Sequence, residues 1–276
     1  MDSRPFDDIH ALIADLKPAP HRLRSAAPGG LGRLASVIDW IADWRGAAVV
    51  HRPIIALYAG AHRGDDVAAL RDQMESIAAG AAPVSRAALH LGAGLDVFDL
   101  AIDRPVGDPA AGPTMSEREC AATMAFGMEA LAKQPDLLVL GALGEGANRA
   151  AAALDAALSR TAAGDDPLQA LRQVGGRETA ALCGAIVAAG SQRVPVLLEG
   201  YSAAAAAATL HAVSPAAVAH CRVGQIGAEP GHSALVQRLD LTLLFEFGVT
   251  IGDGTGSTAV LSLIKLACAL PLETTS

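Results

Sequence analysis

The chain has 276 residues, a hydrophobic fraction of 51%, a mean hydropathy of +0.34 and a formal net charge of −8 with a pI near 5.4. That length suits one large domain or two unequal ones with a buried core. An acidic balance without a Lys/Arg cluster excludes a nucleic-acid partner or an anionic membrane surface, leaving a small molecule or another copy of the chain as partner.

Four widely spaced cysteines, Cys120, Cys183, Cys221 and Cys268, show no ligand spacing. Neither a zinc site nor a disulfide framework is expected, and they read as buried thiols in a reducing cytoplasm. The acidic start and the lack of any apolar run near 18 residues predict a chain that is neither exported nor membrane-spanning.

In chain order, Phe6, Ile9, Leu12, Ile13 and Leu16 recur at helical spacing until Pro18 and Pro20, and Leu34, Val37, Ile38, Ile41 and Trp44 repeat the pattern up to Gly46. The chain therefore begins with a helical pair. Short apolar runs then alternate with helical stretches, the pattern of a parallel sheet. Strands are predicted at 54–59, 95–101, 137–140, 194–198 and 216–220, and helices at 67–79, 117–132, 149–159, 176–190, 202–212 and 231–239. Residues 161–167 read as an exposed loop. Ligands of such sheets collect at the carboxyl ends of the strands, so the loops from Gly60, Asp103, Gly141, Glu199 and Cys221 are expected to line a site.

Five segments carry candidate chemistry. The turn from Gly141 to Arg149, with Gly144, Glu145, Gly146, Asn148 and Arg149, has the order of a phosphate cradle at a helix N-terminus, or serves only to start that helix. No Lys follows its last Gly, so it is not a P-loop. Glu199-Gly200 ends a strand and either holds a ligand or caps the next helix, for which Ser202 is the better cap. His62 sits in a loop where it either donates to a ligand oxygen or is an ordinary solvated residue. Glu229, Gly231 and His232 form a turn before a helix, and Asp253 lies between Gly252 and Gly254 about twenty residues on. Two acids and a His in adjoining loops suit a shared cleft, and a carboxylate between glycines suits a general base. Gly175 to Glu178 reads as a helix start with an acid in its first turn.

Together these segments resemble the nicotinate-nucleotide:dimethylbenzimidazole phosphoribosyltransferases. The ordered landmarks are Gly30 to Leu34, Ala59 to Gly64, Gly112 to Met115, Gly141 to Leu154, Val174 to Glu178, Pro195 to Gly200, Ala228 to His232 and Gly252 to Gly256. The resemblance implies an α/β fold with an open, Rossmann-like parallel sheet covered by helices on both faces. It also implies a core of residues 46–257, a small helical domain from residues 1–45 and 258–276, and a homodimer. It implies displacement of nicotinate from nicotinate mononucleotide by dimethylbenzimidazole, with the family's catalytic glutamate replaced by Asp253. No metal or cofactor is called for, only a nucleotide and an aromatic base.

The chain departs from the family pattern at several positions. The family's Gly-Glu-Met-Gly-Ile-Gly-Asn-Thr-Thr loop has lost its acid at Ala142 and gained Arg149 near the expected phosphate. The family's Ser-His-x-Ser run is replaced by Gly224 to Gly227, and the 159–167 segment is short and lacks a family lysine. These departures admit a second reading, a weakened paralogue that binds nucleotide or base as a sensor or partner subunit.

Overall fold

A computed structural model describes residues 4–19, 27–162 and 164–270. Pro20 and residues 1–3, 21–26 and 271–276 of the expected helical domain lie outside the described residues. The chain runs α1 (Pro5–Ala14), α2 (Arg33–Arg45), β1 (Pro53–Ala59), α3 (Val67–Ala78), α4 (Pro83–Leu91) and β2 (Gly94–Asp99). It continues with α5 (Glu117–Gly127), a 3-10 turn (Met128–Leu131), β3 (Leu137–Leu143), α6 (Glu145–Leu158), α7 (Pro167–Val174) and α8 (Arg177–Ser191). The last elements are β4 (Val196–Glu199), α9 (Gly200–Val213), a 3-10 turn (Pro215–Val218), β5 (Cys221–Gln225), α10 (Pro230–Arg238) and α11 (Thr255–Cys268). Local chemistry sets several starts: Asp66, Ser116 and Asp166 accept backbone N–H groups at the heads of α3, α5 and α7, and Pro83, Pro167 and Pro230 occupy first-turn positions.

All strand pairings are parallel, in the order β2-β1-β3-β4-β5. Alternation along the strands sends side chains to two cores. Ile54, Ala56 and Tyr58 of β1 and Leu138 and Leu140 of β3 join one with residues of α1 and of α5 to α10, whereas Ile55, Leu57, Leu137 and Val139 join the other with residues of α2, α3, α4 and α11. The two leading helices therefore lie on opposite faces of the sheet: α1 packs on α5 and α9, and α2 packs on α11.

The core of the first layer is α8, buried from Glu178 to Gly190. Small residues let it approach α5 closely. A Cβ on Gly184 would fall 1.7 Å from the Met124 carbonyl oxygen, and one on Gly127 would fall 1.9 Å from that of Ala181.

The strand expected at 216–220 is a correction. Ser214-Pro215 opens a 3-10 turn there, and the fifth strand is Cys221–Gln225, whose Arg222, Gly224 and Gln225 disguise it as a polar loop. Position in the sheet beside β4, not composition, makes it a strand. The turn from Gly141 is likewise displaced, because β3 runs on to Leu143 and α6 starts at Glu145. Helices α4 and α7 had no counterpart in the sequence reading.

Candidate active site

The switch point of the sheet lies between β1 and β3, because the connection from β1 to β2 runs over one face and that from β3 to β4 over the other. Two clefts open along this carboxyl edge, separated by the first turns of α6. The larger, about 260 Å³, lies over β3, β4 and β5. Gly144, Glu145 and Asn148 line it from α6, Glu199, Gly200, Tyr201 and Ser202 from β4 and α9, and Gly227 and Glu229 from the head of α10. Val249, Ile251 and Gly252 close it from the loop before α11, which Gln225 fastens to β5 by donating to the Val249 carbonyl at 2.7 Å. Asn148 hydrogen-bonds Glu229 across the rim.

The heads of α6, α9 and α10 converge on this cleft, and none carries a side-chain cap. The first N–H groups and partial positive charge of α9 make an anion-binding wall without a cationic side chain; at the head of α6 the Gly146 N–H already donates to Asp65 Oδ2 at 3.1 Å, and α10 starts with Pro230, which has no N–H. The expected Ser202 cap is a correction. Glu199 is the N-cap residue, and the buried Ser202 hydroxyl lines the cleft without a hydrogen-bond partner among the described residues. Gly200 allows the tight step from β4 into α9, at a φ of +79° that a side chain would strain.

Several predicted residues do not line this cleft. Asp253 is 3% exposed and its Oδ1 accepts the Thr255 N–H at 2.9 Å, so it helps to start α11. His232 is buried, its Nδ1 accepting from Gly227 N–H at 2.9 Å, and burial pushes it down to about 4, so its ring is neutral at pH 7. Gly231 packs under the Tyr201 hydroxyl, and Gly254 against Leu57 and Val84.

His62, Gly146 and Arg149 line the second cleft, about 230 Å³, on the other side of α6. Arg149 turns away from the first cleft to pair with Asp65 at 2.7 Å. His62 Nε2 lies 3.0 Å from Oε1 of the fully buried Glu178. Burial opposes protonation of His62, but its hydrogen bond to Glu178 and the charges of Glu178 and Asp65 outweigh burial and raise its pKa.

Tyr201, Ser202 and Gln225 were missed as site residues. The first two follow the Glu199-Gly200 signal directly. Gln225 was hidden by the misplaced fifth strand.

Among the described residues, no cluster of three or more His, Cys, Asp or Glu could hold a metal ion, and no helix is long and apolar enough to cross a membrane.

A phosphoribosyltransferase family model matches residues 17–165 and 154–276. The nicotinate-nucleotide–dimethylbenzimidazole phosphoribosyltransferase of Allorhizobium ampelinum is 39% identical, over 96% of this chain and 93% of that protein. The chain belongs to the nicotinate-nucleotide:dimethylbenzimidazole phosphoribosyltransferase family. The member named for the same reaction from Agrobacterium fabrum is 38% identical, over 98% of this chain and 93% of its own length. A crystal structure of the phosphoribosyltransferase from Thermus thermophilus superposes with a TM-score of 0.80 at 23% identity, covering 97% of this chain and 95% of that one, which shows the shared fold. The two segments matched to the family meet at residues 154–165, the end of α6 and the short connection to α7.

Proposed function

We propose that this phosphoribosyltransferase moves the phosphoribosyl group of nicotinate mononucleotide to dimethylbenzimidazole or a related azole, forming α-ribazole phosphate for the lower ligand of cobalamin. The observation that carries the reading is the similarity along nearly the whole chain to relatives named for this reaction. One azole nitrogen attacks C1′ of the ribose. The C1′–N bond to nicotinate breaks, its electron pair returning to the pyridinium nitrogen, and the azole's second nitrogen sheds its proton to a carboxylate. The leaving ring becomes neutral by taking that pair and needs no acid.

The anion-binding wall suits the 5′-phosphate: the head of α9 offers N–H groups, and Ser202 offers its hydroxyl. Ala142, Val249 and Ile251 supply an apolar wall for the azole. Holding both reactants in one cleft converts a bimolecular encounter into an oriented one. The reading extends to a homodimer in the cytoplasm, with residues 46–257 as the nucleotide-binding core, to whose two faces α1 on one side and α2 with α11 on the other are joined.

The test is direct. Purified protein incubated with nicotinate mononucleotide and dimethylbenzimidazole should release nicotinate in step with α-ribazole phosphate, followed by chromatography. Binding of both reactants without release of nicotinate would leave the weakened-paralogue reading in its place.

A further inference from the structure

We infer that Glu199, rather than Asp253, accepts the azole proton, with Asp253 acting on it from behind. This deepens the proposed transfer reaction and rests on it. Glu199 stands at the carboxyl end of β4 and lines the cleft, whereas Asp253 does not, although Ile251 and Gly252 just before it do. Both acids are largely buried, at 7% and 3% exposure, and each has one oxygen held by a backbone N–H. Asp253 Oδ1 is taken by the Thr255 N–H. Glu199 Oε2 is held by the Ser257 N–H at 2.7 Å, and among the described residues nothing hydrogen-bonds to its Oε1. In each acid one oxygen is fixed and the other is left without a hydrogen bond among the described residues, but only Glu199 belongs to the lining of the cleft, so its second oxygen is the one available to a ligand there.

The spacing of side chains explains the exchange of roles. Asp253 is hydrogen-bonded within the turn that starts α11, while Glu199 reaches along Gly141, where a Cβ would lie 3.4 Å from its Cγ. The surroundings then favour a base. Burial raises the pKa of Glu199, the Ser257 hydrogen bonds oppose that rise, and the negative charge of Asp253 adds to it. Around it, Gly141 on β3, Gln225 on β5 and Ser257 on α11 are uncharged, Glu145 and Glu229 line the same cleft from the heads of α6 and α10, and Asp253 is the charge that raises it. A carboxylate lifted toward neutrality takes a proton more readily than one at its ordinary value.

Three variants separate the roles: Glu199→Gln, Glu199→Asp and Asp253→Asn, each first checked for an unchanged circular dichroism spectrum. Glu199→Gln should lower kcat by about 100-fold or more, with KM for nicotinate mononucleotide within about threefold, and should remove the acidic limb of the pH–rate profile. Glu199→Asp should recover part of the rate. Asp253→Asn should lower kcat by less than about tenfold and move the acidic limb to lower pH, because removing a neighbouring negative charge makes Glu199 easier to ionise. Calorimetric titration with dimethylbenzimidazole alone gives a readout that survives even if the wild type shows no turnover and the reaction reading fails. Glu199→Gln should weaken that binding by about tenfold and Asp253→Asn by less than about threefold. The inference is overturned if Glu199→Gln keeps both the wild-type azole affinity and the acidic limb, or if Asp253→Asn is the variant that removes them.

Discussion

His62 Nε2 and Glu178 Oε1 lie 3.0 Å apart across 116 residues of chain, joining the loop after β1 to the first turn of α8. Gly60 and Gly176 press on the same carboxylate from either side, for a Cβ at either position would fall within about 2 Å of its oxygens. Among the described residues Glu178 Oε2 has no hydrogen-bond partner, so His62 is the main compensation for a fully buried acid. His62→Ala should therefore destabilise the fold by about 3 kcal/mol, read as a lower urea midpoint with an unchanged slope.

The pH dependence of that loss has a definite sign. The folded-state pKa of His62 is raised, so its contribution is full below the unfolded value of about 6.5 and fades as pH rises through the folded value. The gap in unfolding free energy between wild type and His62→Gln should accordingly be widest below about pH 6.5 and narrow above it. A gap that widens with pH would mean that the neutral ring is what the fold prefers.

Two other histidines act in the opposite direction. His220 and His232 are buried and depressed to about 4, chiefly by burial. The unfolded chain binds protons there that the folded chain refuses, so stability should fall as pH drops from about 6.5 to about 4. Replacing His220, whose Nε2 meets the Ile186 carbonyl at 3.0 Å, with Gln should flatten that decline in a denaturation series from pH 7 to pH 4, at some cost in absolute stability.

The α5–α8 contact leaves no room for one methyl group. Gly184→Ala should cost about 2 to 3 kcal/mol or prevent soluble expression, because the Cβ would meet backbone rather than a side chain that can swing aside. Gly112→Ala, in an exposed loop with nothing within 4 Å and without a positive φ, is the control, and it should shift the midpoint far less.

The division of labour between the two clefts gives a kinetic prediction. Arg149 faces Asp65 and the second cleft, so Arg149→Ala should leave KM for nicotinate mononucleotide within about threefold. Ser202 faces the anion-binding wall, and Ser202→Ala should raise that KM by about fivefold to tenfold through loss of one hydrogen bond to phosphate. The reverse pattern would place the phosphate in the second cleft.

What the sequence determined by itself was local and ordered along the chain. Apolar runs such as Leu137 to Leu140 and Ile54 to Ala59 marked the central strands, because a strand buried on both faces has no polar alternation to confuse it. The order of short motifs likewise carried family membership, and Glu199-Gly200, Gly144 and Glu229 were legible as strand-end and helix-head residues that do reach the cleft. Direction was not legible. On α6, Asn148 and Arg149 are adjacent in sequence yet point about 100° apart around the helix, so one faces each cleft. Tertiary structure alone decided that His62 would meet Glu178, that the fifth strand would be the polar-looking Cys221–Gln225, and that Asp253 would turn inward while Glu199 faces the ligand space. Each of these depends on which backbone N–H or buried charge lies opposite, and that partner comes from a segment tens of residues away.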